Sequence, residues 1–478
     1  MVDIDSVETG KVIRFPGRTR AETGMPPTTR LGRDAKLAAV PVAYAGRWVA
    51  GRGRRLMGRS AAEVELDIQL RTAEHLVDVL GELRGCVAKL GQLAGLFRSA
   101  IPLEFADTAG QVLSRLQDSA PPMMPALVHQ ALERSFGPQW RTLFLEFQER
   151  PAAAASLGQV HRAVWHDGRP VAVKVMYPGA REAVAADLRQ LRSVSGVLGV
   201  LMPGADVDAL IAMVCAMVGD ELDYRREAHY QQRCADAFAE DPDFLVPAVI
   251  EVADEVLISD WVEGRPLTRL VDSGEREEIS RVGRQVFRML EVMGRRCDVL
   301  YADAHPGNFF VLPDGRIAAV DFGACDSYPE DFITLLIEIG DAVFHGTPAD
   351  LEATLRRYGF VAAGKEFDVE ELIRIIEPFK EIPLQPDFRM SNTWLREQVT
   401  AIAEIRLSNV FRQMTLPPHL TAFARKVATC IGLLCLFETE HMSKELLAFW
   451  PEVAAALWRN ERPVESGSCR ITRTGTRL

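Results

Sequence analysis

Residues 301–323 read YADAHPGNFFVLPDGRIAAVDFG, and their order decides the fold. Asp303 and Asn308 stand five residues apart, and Asp321 opens an Asp-Phe-Gly triplet directly after the apolar run Ile317–Val320. Between them, Asn308–Leu312 and Arg316–Val320 flank Pro313-Asp-Gly315, the pattern of two short strands around a tight turn. A carboxylate, an amide oxygen and a second carboxylate on one strand–turn–strand are hard oxygen donors of the kind that hold Mg2+. Taken singly, each is also a turn former; it is their order that points to a site.

Working outward, Gln159–Trp165, the turn His166-Asp-Gly-Arg169 and Val171–Val175 read as a hairpin. Alternation puts Val171, Val173 and Val175 on one face and Lys174 on the other. Alone, Lys174 also fits an exposed lysine on an edge strand. A strand lysine, Asp-x-x-x-x-Asn and Asp-Phe-Gly in that order form the phosphoryl-transfer set of a protein-kinase fold. In that set Lys174 contacts the α/β-phosphates, Asp303 orients the attacking group, and Asn308 with Asp321 holds the metal. The lysine needs an acid, and Glu221-Leu-Asp223-Tyr-Arg-Arg-Glu227 offers three, with Asp223 and Glu227 as i,i+4 neighbours on a helix; a solvated charged face is the other reading. Ile258-Ser-Asp260-Trp-Val262 reads as the link between two lobes, where the backbone of Asp260 and Val262 could bond an adenine. Two features depart from an ordinary protein kinase. The expected glycine-rich loop is Pro151-Ala-Ala153-Ala154-Ala155-Ser156-Leu-Gly158, whose alanine methyls restrict backbone approach. After Asp-Phe-Gly only Ala324–Glu330 precede the next helical run, without an Ala-Pro-Glu segment to present a protein substrate.

The rest of the chain supplies helices. Ser60-Ala-Ala-Glu63 is a capping box, and Leu76, Leu80, Leu83, Val87, Leu90, Leu93 and Phe97 line one face of a long amphipathic helix. Helical pattern runs to about Phe147 and returns at 181–201, 207–238, 275–300 and from about 331 to 458, while Leu245–Val252 and Glu255–Val262 read as strands. The expected class is α+β, a bilobal kinase-like fold with a helical N-terminal extension over the cleft. The expected divisions are a flexible basic arm (1–35), the helical extension (36–150), an N-lobe (151–262), a helical C-lobe (263–460) and a disordered tail (461–478).

Length and composition agree with this plan. At 478 residues the chain exceeds the roughly 250–300 at which one core stops growing. With 48% hydrophobic and 25% charged residues it has ordinary globular usage. The net charge of −11 argues against a general nucleic-acid binder. Residues 1–60 nevertheless hold 12 Lys and Arg against 5 Asp and Glu. Within them, Tyr44, Trp48, Arg52, Arg54, Arg55 and Arg59 have the composition of an interfacial helix, although a helix packed on the body with its arginines in water fits equally. Eight cysteines without a Cys-x-x-Cys pair read as reduced and mostly buried, the N-terminus lacks a secretory signal pattern, and no uncharged run reaches the ~20 residues of a membrane span. The expected location is the cytoplasm, peripheral at the inner face of the plasma membrane.

At this point the sequence resembles the UbiB family of atypical kinase-like proteins, also called AarF or ADCK-type. Lys89-Leu-Gly91-Gln92 is similar to its KxGQ motif, Ala153–Ser156 to its alanine-rich loop, and Glu221-Leu-Asp223 to its ExD. Tyr301–Asn308 with Asp321-Phe-Gly323 resembles its catalytic loop and metal motif. Leu116–Pro122 and Met176–Gly179 add to a likeness that covers roughly residues 36–345 and looks closest to bacterial members without C-terminal transmembrane helices. The resemblance implies an enzyme using ATP (or ADP) and Mg2+. It further implies a KxGQ segment in the place of a peptide substrate, with Lys89 pairing Glu221 and Lys174 pairing Glu227. Ala153, Ala154, Ala155, Ser156, Glu221, Asp223, Glu227, Asp260 and Val262 would line the nucleotide site, and Lys89, Lys174 and Asp303 would serve the chemistry. It implies ATP hydrolysis or phosphoryl transfer to a small or lipid-like molecule in isoprenoid quinone or lipid metabolism; a catalytically weak nucleotide-binding scaffold for lipid-modifying enzymes is the alternative. Partners implied are an anionic membrane surface, a second copy of the chain or lipid-biosynthesis enzymes. Three positions depart from the family pattern: Tyr301 stands where it has His, Ala304 where it has Pro, and Tyr230 where it often has Asn.

Overall fold

The computed structural model describes residues 123–155, 157–193, 215, 219–405, 410–451 and 454–455. The expectations for residues 1–122, Lys89 and the basic segment among them, for Ser156, and for the tail lie outside the described residues.

Helix α1 (Pro125–Phe136) starts on a proline, whose missing N–H costs nothing in a first turn, and ends at Gly137 in the left-handed region. Strands β1 (Phe144–Phe147), β2 (Ala153–Ala155), β3 (Gly158–Trp165) and β4 (Pro170–Met176) follow. After helices α2 (Ala180–Ser193) and α3 (Tyr224–Ala237) come β5 (Phe244–Leu245), β6 (Val249–Val252) and β7 (Val256–Asp260). Six strands form one antiparallel sheet, in the order β1-β3-β4-β7-β6, with β2 also pairing β3. Val171, Val173 and Val175 of β4 are fully buried against α1 with Val256 and Ile258, so the alternation that turns Lys174 to the opposite face is realised. That opposite face is covered by α3, through Tyr224 and Ala228 packed on Met176 and Leu257.

Short β8 (Arg265–Pro266) and α4 (Leu267–Ser273) lead into α5 (Arg276–Cys297), then β9 (Leu300–Tyr301), β10 (Phe309–Val311), β11 (Ile317–Ala319) and β12 (Cys325–Asp326). Helices α6 (Phe332–Phe344), α7 (Pro348–Arg357), α8 (Val369–Ile376), α9 (Asn392–Ile405), α10 (Thr421–Leu436) and α11 (Met442–Phe449) follow, with single helical turns between some of them. β10 and β11 pair antiparallel about the Gly315 turn, and β9 pairs β12, setting Tyr301 opposite Cys325. A second core runs from α3 through α5 and these strands to α10 and α11. The mixed α+β, kinase-like class is as expected, with one small sheet-based core and one larger helical core.

Three local expectations are corrected. The helical pattern expected to reach Phe147 ends with α1 at Phe136 and a 3-10 turn at Trp140–Leu143, and 144–147 is a strand. Its register shifts between Phe144 and Glu146, so the two phenylalanines, three apart, both turn inward and mimic helical spacing. The single run 245–252 is two strands in different sheets, separated at Pro247. Helix α3 begins only at Tyr224, because Asp223 is its N-cap and accepts from the N–H groups of Arg225 and Arg226. Asp223 therefore serves the helix end instead of sharing a helical face with Glu227. Among the described residues one helix, Pro418–Leu436, is long and apolar enough to cross a membrane by length and composition, although half of it is buried in this lobe. The six described cysteines are buried and carry no disulfide.

Candidate active site

Lys174 projects from β4 toward α3, where its Nζ donates to both carboxylate oxygens of Glu227 at 2.7 and 3.0 Å, and to Asp321 Oδ1 at 3.2 Å. One ammonium therefore ties the sheet, helix α3 and the Asp-Phe-Gly turn together. Tyr224 lies against it, with the ammonium 5.3 Å from the ring centre. Glu227 is almost wholly enclosed, and burial, reinforced by Asp321 and opposed by Lys174, pushes its carboxyl up to about 7. Burial disfavours the Lys174 ammonium, yet Asp321 and Glu227 outweigh it and hold its pKa well above the ordinary lysine value. Glu221 is also buried, on the turn before α3 and beside Gly323.

The catalytic-loop candidates come from the segment between β9 and β10. Asp303 is buried, and the Asn308 amide donates to its backbone carbonyl and to Oδ2, both at 3.2 Å. With its nitrogen facing Asp303, the amide oxygen is the atom Asn308 offers to a cation. His305 closes the turn by accepting from the Gly307 N–H, and the Val320 N–H donates to the Asn308 carbonyl at 2.9 Å, seating Asp321 beside this loop. Asp321 has φ +63°, a left-handed conformation that Asp and Asn tolerate better than other side chains. Tyr301 donates from its hydroxyl to the Val320 carbonyl at 2.7 Å and packs edge-on against the buried Phe322, so it holds the turn on which Asp321 sits.

The structure thus brings Lys174, Glu227 and Asp321 into direct contact, and Asp303 into contact with Asn308. Ala153–Ala155 form strand β2 on the edge of β3. At the link between lobes, the Asp260 N–H is spent on the Ala248 carbonyl and the Trp261 N–H on that of Pro170, which leaves Val262 as the first residue beyond the sheet bonds. Sequence reasoning missed Tyr224 and Arg226. The latter reaches Asp220 at 3.2 Å and Asp326 at 3.5 Å and so joins α3 to the strand after Asp-Phe-Gly. Both lie inside the acidic stretch already singled out, but nothing in their spacing marks them.

The donor set suits a divalent cation carried by phosphates. Among the described residues two carboxylates, Glu227 and Asp321, share the Lys174 ammonium, so acid outnumbers base at this contact. Among the described residues no three His, Cys, Asp or Glu side chains stand close enough to hold a metal by themselves. A Mg2+ here would take Asp321 and Asn308 and complete its shell with phosphate oxygens and water.

A family profile described as the ABC1 atypical kinase-like domain matches residues 115–351. The mitochondrial atypical kinase coq-8 of Caenorhabditis elegans is 30% identical over 368 residues, which are 74% of this chain and 48% of that protein. The mitochondrial atypical kinase COQ8 of Saccharomyces cerevisiae is 28% identical over 432 residues, covering 86% of this chain and 82% of the relative. Among solved structures, the complex of Rv3197 with erythromycin from Mycobacterium tuberculosis superposes with a TM-score of 0.58 at 33% identity, covering 83% of this chain and all of that one. The chain spans about half the length of several curated relatives it matches.

Proposed function

The chain belongs to the ABC1 atypical kinase-like family, the UbiB/COQ8 proteins, and from that premise we propose that it binds Mg-ATP and either hydrolyses it or transfers its terminal phosphoryl group to a small or lipid-like acceptor. The observation that carries this reading is the contact of Lys174 with both Glu227 and Asp321, which supports an ammonium for phosphate next to a carboxylate for metal. When bound, Mg2+ would neutralise charge developing on the phosphates. The protein's own groups do the rest. Lys174 holds the α/β-phosphates, Glu227 fixes the lysine's direction, and Asp303, steadied by Asn308, accepts a hydrogen bond from the attacking hydroxyl or water. Lys89 and the Lys89–Glu221 pairing remain part of the proposal through the resemblance alone. So do the alanine-rich loop as a phosphate cover, the link to quinone or other isoprenoid lipids, and a peripheral membrane location. The short passage from Asp-Phe-Gly to α6 favours a small acceptor over a protein substrate.

Phosphate release should be measured for the full chain and for Asp321→Asn, with and without anionic vesicles. Asn keeps the left-handed backbone at 321 while removing the charge, so folding should survive and turnover should fall at least about a hundredfold. Equal background from both proteins under every condition overturns the enzymatic reading. Nucleotide binding by the wild type without turnover would leave a nucleotide-binding scaffold in its place.

A further inference from the structure

Helix α10 lies beyond the segment matched by the family profile, yet two contacts run from it to the catalytic loop and to the residue that follows Asp-Phe-Gly, and a third ties it to Tyr328 and α5. Arg425 donates from Nη2 to the Ala324 carbonyl at 2.9 Å, the same oxygen that receives the Ala302 N–H at 3.3 Å. Lys426 is buried, donates to the Tyr328 hydroxyl at 2.6 Å and pairs with the buried Glu291 of α5 at 2.8 Å. Thr429, fully buried, accepts the Ala304 N–H at 3.3 Å while its own hydroxyl donates back to the Arg425 carbonyl at 3.0 Å. The residues next to Asp303 and after Asp321 are therefore held from one helix. Ala304 makes its bond only because it is not a proline, the residue found at this position in the pattern the sequence resembles.

We infer that Thr429 and Ala304 are a positioning pair, through which α10 sets the placement of Asp303 relative to Asp321. Asp303 has no helical or sheet ladder of its own, and the Ala304 amide is the next peptide along the chain. Fixing that amide to a fully buried hydroxyl fixes the direction in which the Asp303 carboxylate leaves the backbone. Arg425, one turn earlier on the same face of α10, sets the Ala324 carbonyl and with it the exit from Asp-Phe-Gly. The two carboxylates thus share a rigid reference, as a site must whose reacting groups cannot drift by even about an ångström. Replacing Thr429 by valine keeps the shape and leaves the Ala304 N–H without a partner in a setting closed to solvent.

The turnover part of the test rests on the activity proposed above; the exchange part does not. In Thr429→Val, amide hydrogen exchange should quicken in the peptide spanning 301–308 and stay unchanged in the N-lobe sheet. Turnover at saturating nucleotide should fall about tenfold, with the nucleotide KM within about twofold of wild type. Thr429→Ser, which restores the hydroxyl, should return both readouts. Ala304→Pro removes the same N–H, so adding it to Thr429→Val should cost no further exchange protection or rate. Wild-type exchange and turnover in Thr429→Val would overturn the inference, as would a serine variant as impaired as the valine one. Faster exchange throughout the protein would also overturn it, because the loss would then be one of global stability. If the wild type itself shows no turnover, the exchange comparison decides alone.

Discussion

At Lys174 the count of charges matters more than any single distance. Two carboxylates share one ammonium, and Glu227, the more enclosed of the two, keeps a proton up to about pH 7 because burial outweighs the attraction of Lys174. A carboxyl whose folded pKa lies above its unfolded value contributes stability that is complete below the unfolded pKa and is lost as pH rises through the folded one. The nucleotide-free protein should therefore lose Tm between about pH 4.5 and about pH 7, and Glu227→Gln should flatten that slope. Parallel slopes in the two proteins would show that Glu227 is ionised throughout. The face on which Lys174 lies was legible from two-residue alternation alone. Its acid was legible only through the family resemblance, which pairs Lys174 with Glu227 as observed; spacing alone leaves the three carboxylates of 221–227 alike until Asp223 is spent capping α3.

Elements were most legible where turn chemistry marks their ends. The Asp167-Gly168 and Asp314-Gly315 hairpins lie where the sequence puts them, since both glycines adopt the positive φ that such turns demand. Periodicity misled at 144–147, where a bulge lets residues three apart share a face and Phe144 packs edge-on against Trp165. Helix α5 carries a different constraint. Gly283 faces Thr439, and a Cβ there would come within 2.4 Å of its Oγ1. Alanine is favoured over glycine in a helix by about 1 kcal/mol, but this clash should reverse the sign. Gly283→Ala should destabilise the protein by about 1–3 kcal/mol, read from denaturant midpoints. A gain in stability would mean that α5 and the Thr439 turn can part without cost.

For the whole molecule, charge is divided as sharply as structure. The surplus of 12 basic over 5 acidic residues in 1–60 contrasts with a net −11 for the chain, so the body carries the acid excess. An anionic vesicle should accordingly repel the body and attract only the leading segment. Co-sedimentation of the full chain should weaken with salt, as screening shortens to about 10 Å near 0.1 M, and removing residues 1–60 should abolish it. Binding that survives the truncation would place the membrane contact elsewhere. Two lobes of this class could be foreseen from the motif order, whereas the reach of α10 could not, because its partners lie 125 and 101 residues earlier in the chain. That separation has a consequence for biosynthesis. The strands of the sheet-based lobe all lie before residue 261, so that lobe can form while the chain is still emerging from the ribosome. Thr429 follows Ala304 at a synthesis rate of about 5–20 residues per second, some seconds to tens of seconds later. Until then every motif of the active site has been made but the ties from α10 to Ala304 and Ala324 are missing, so a nascent or prematurely ended chain would carry the whole catalytic signature with its loop and metal turn only partly fixed.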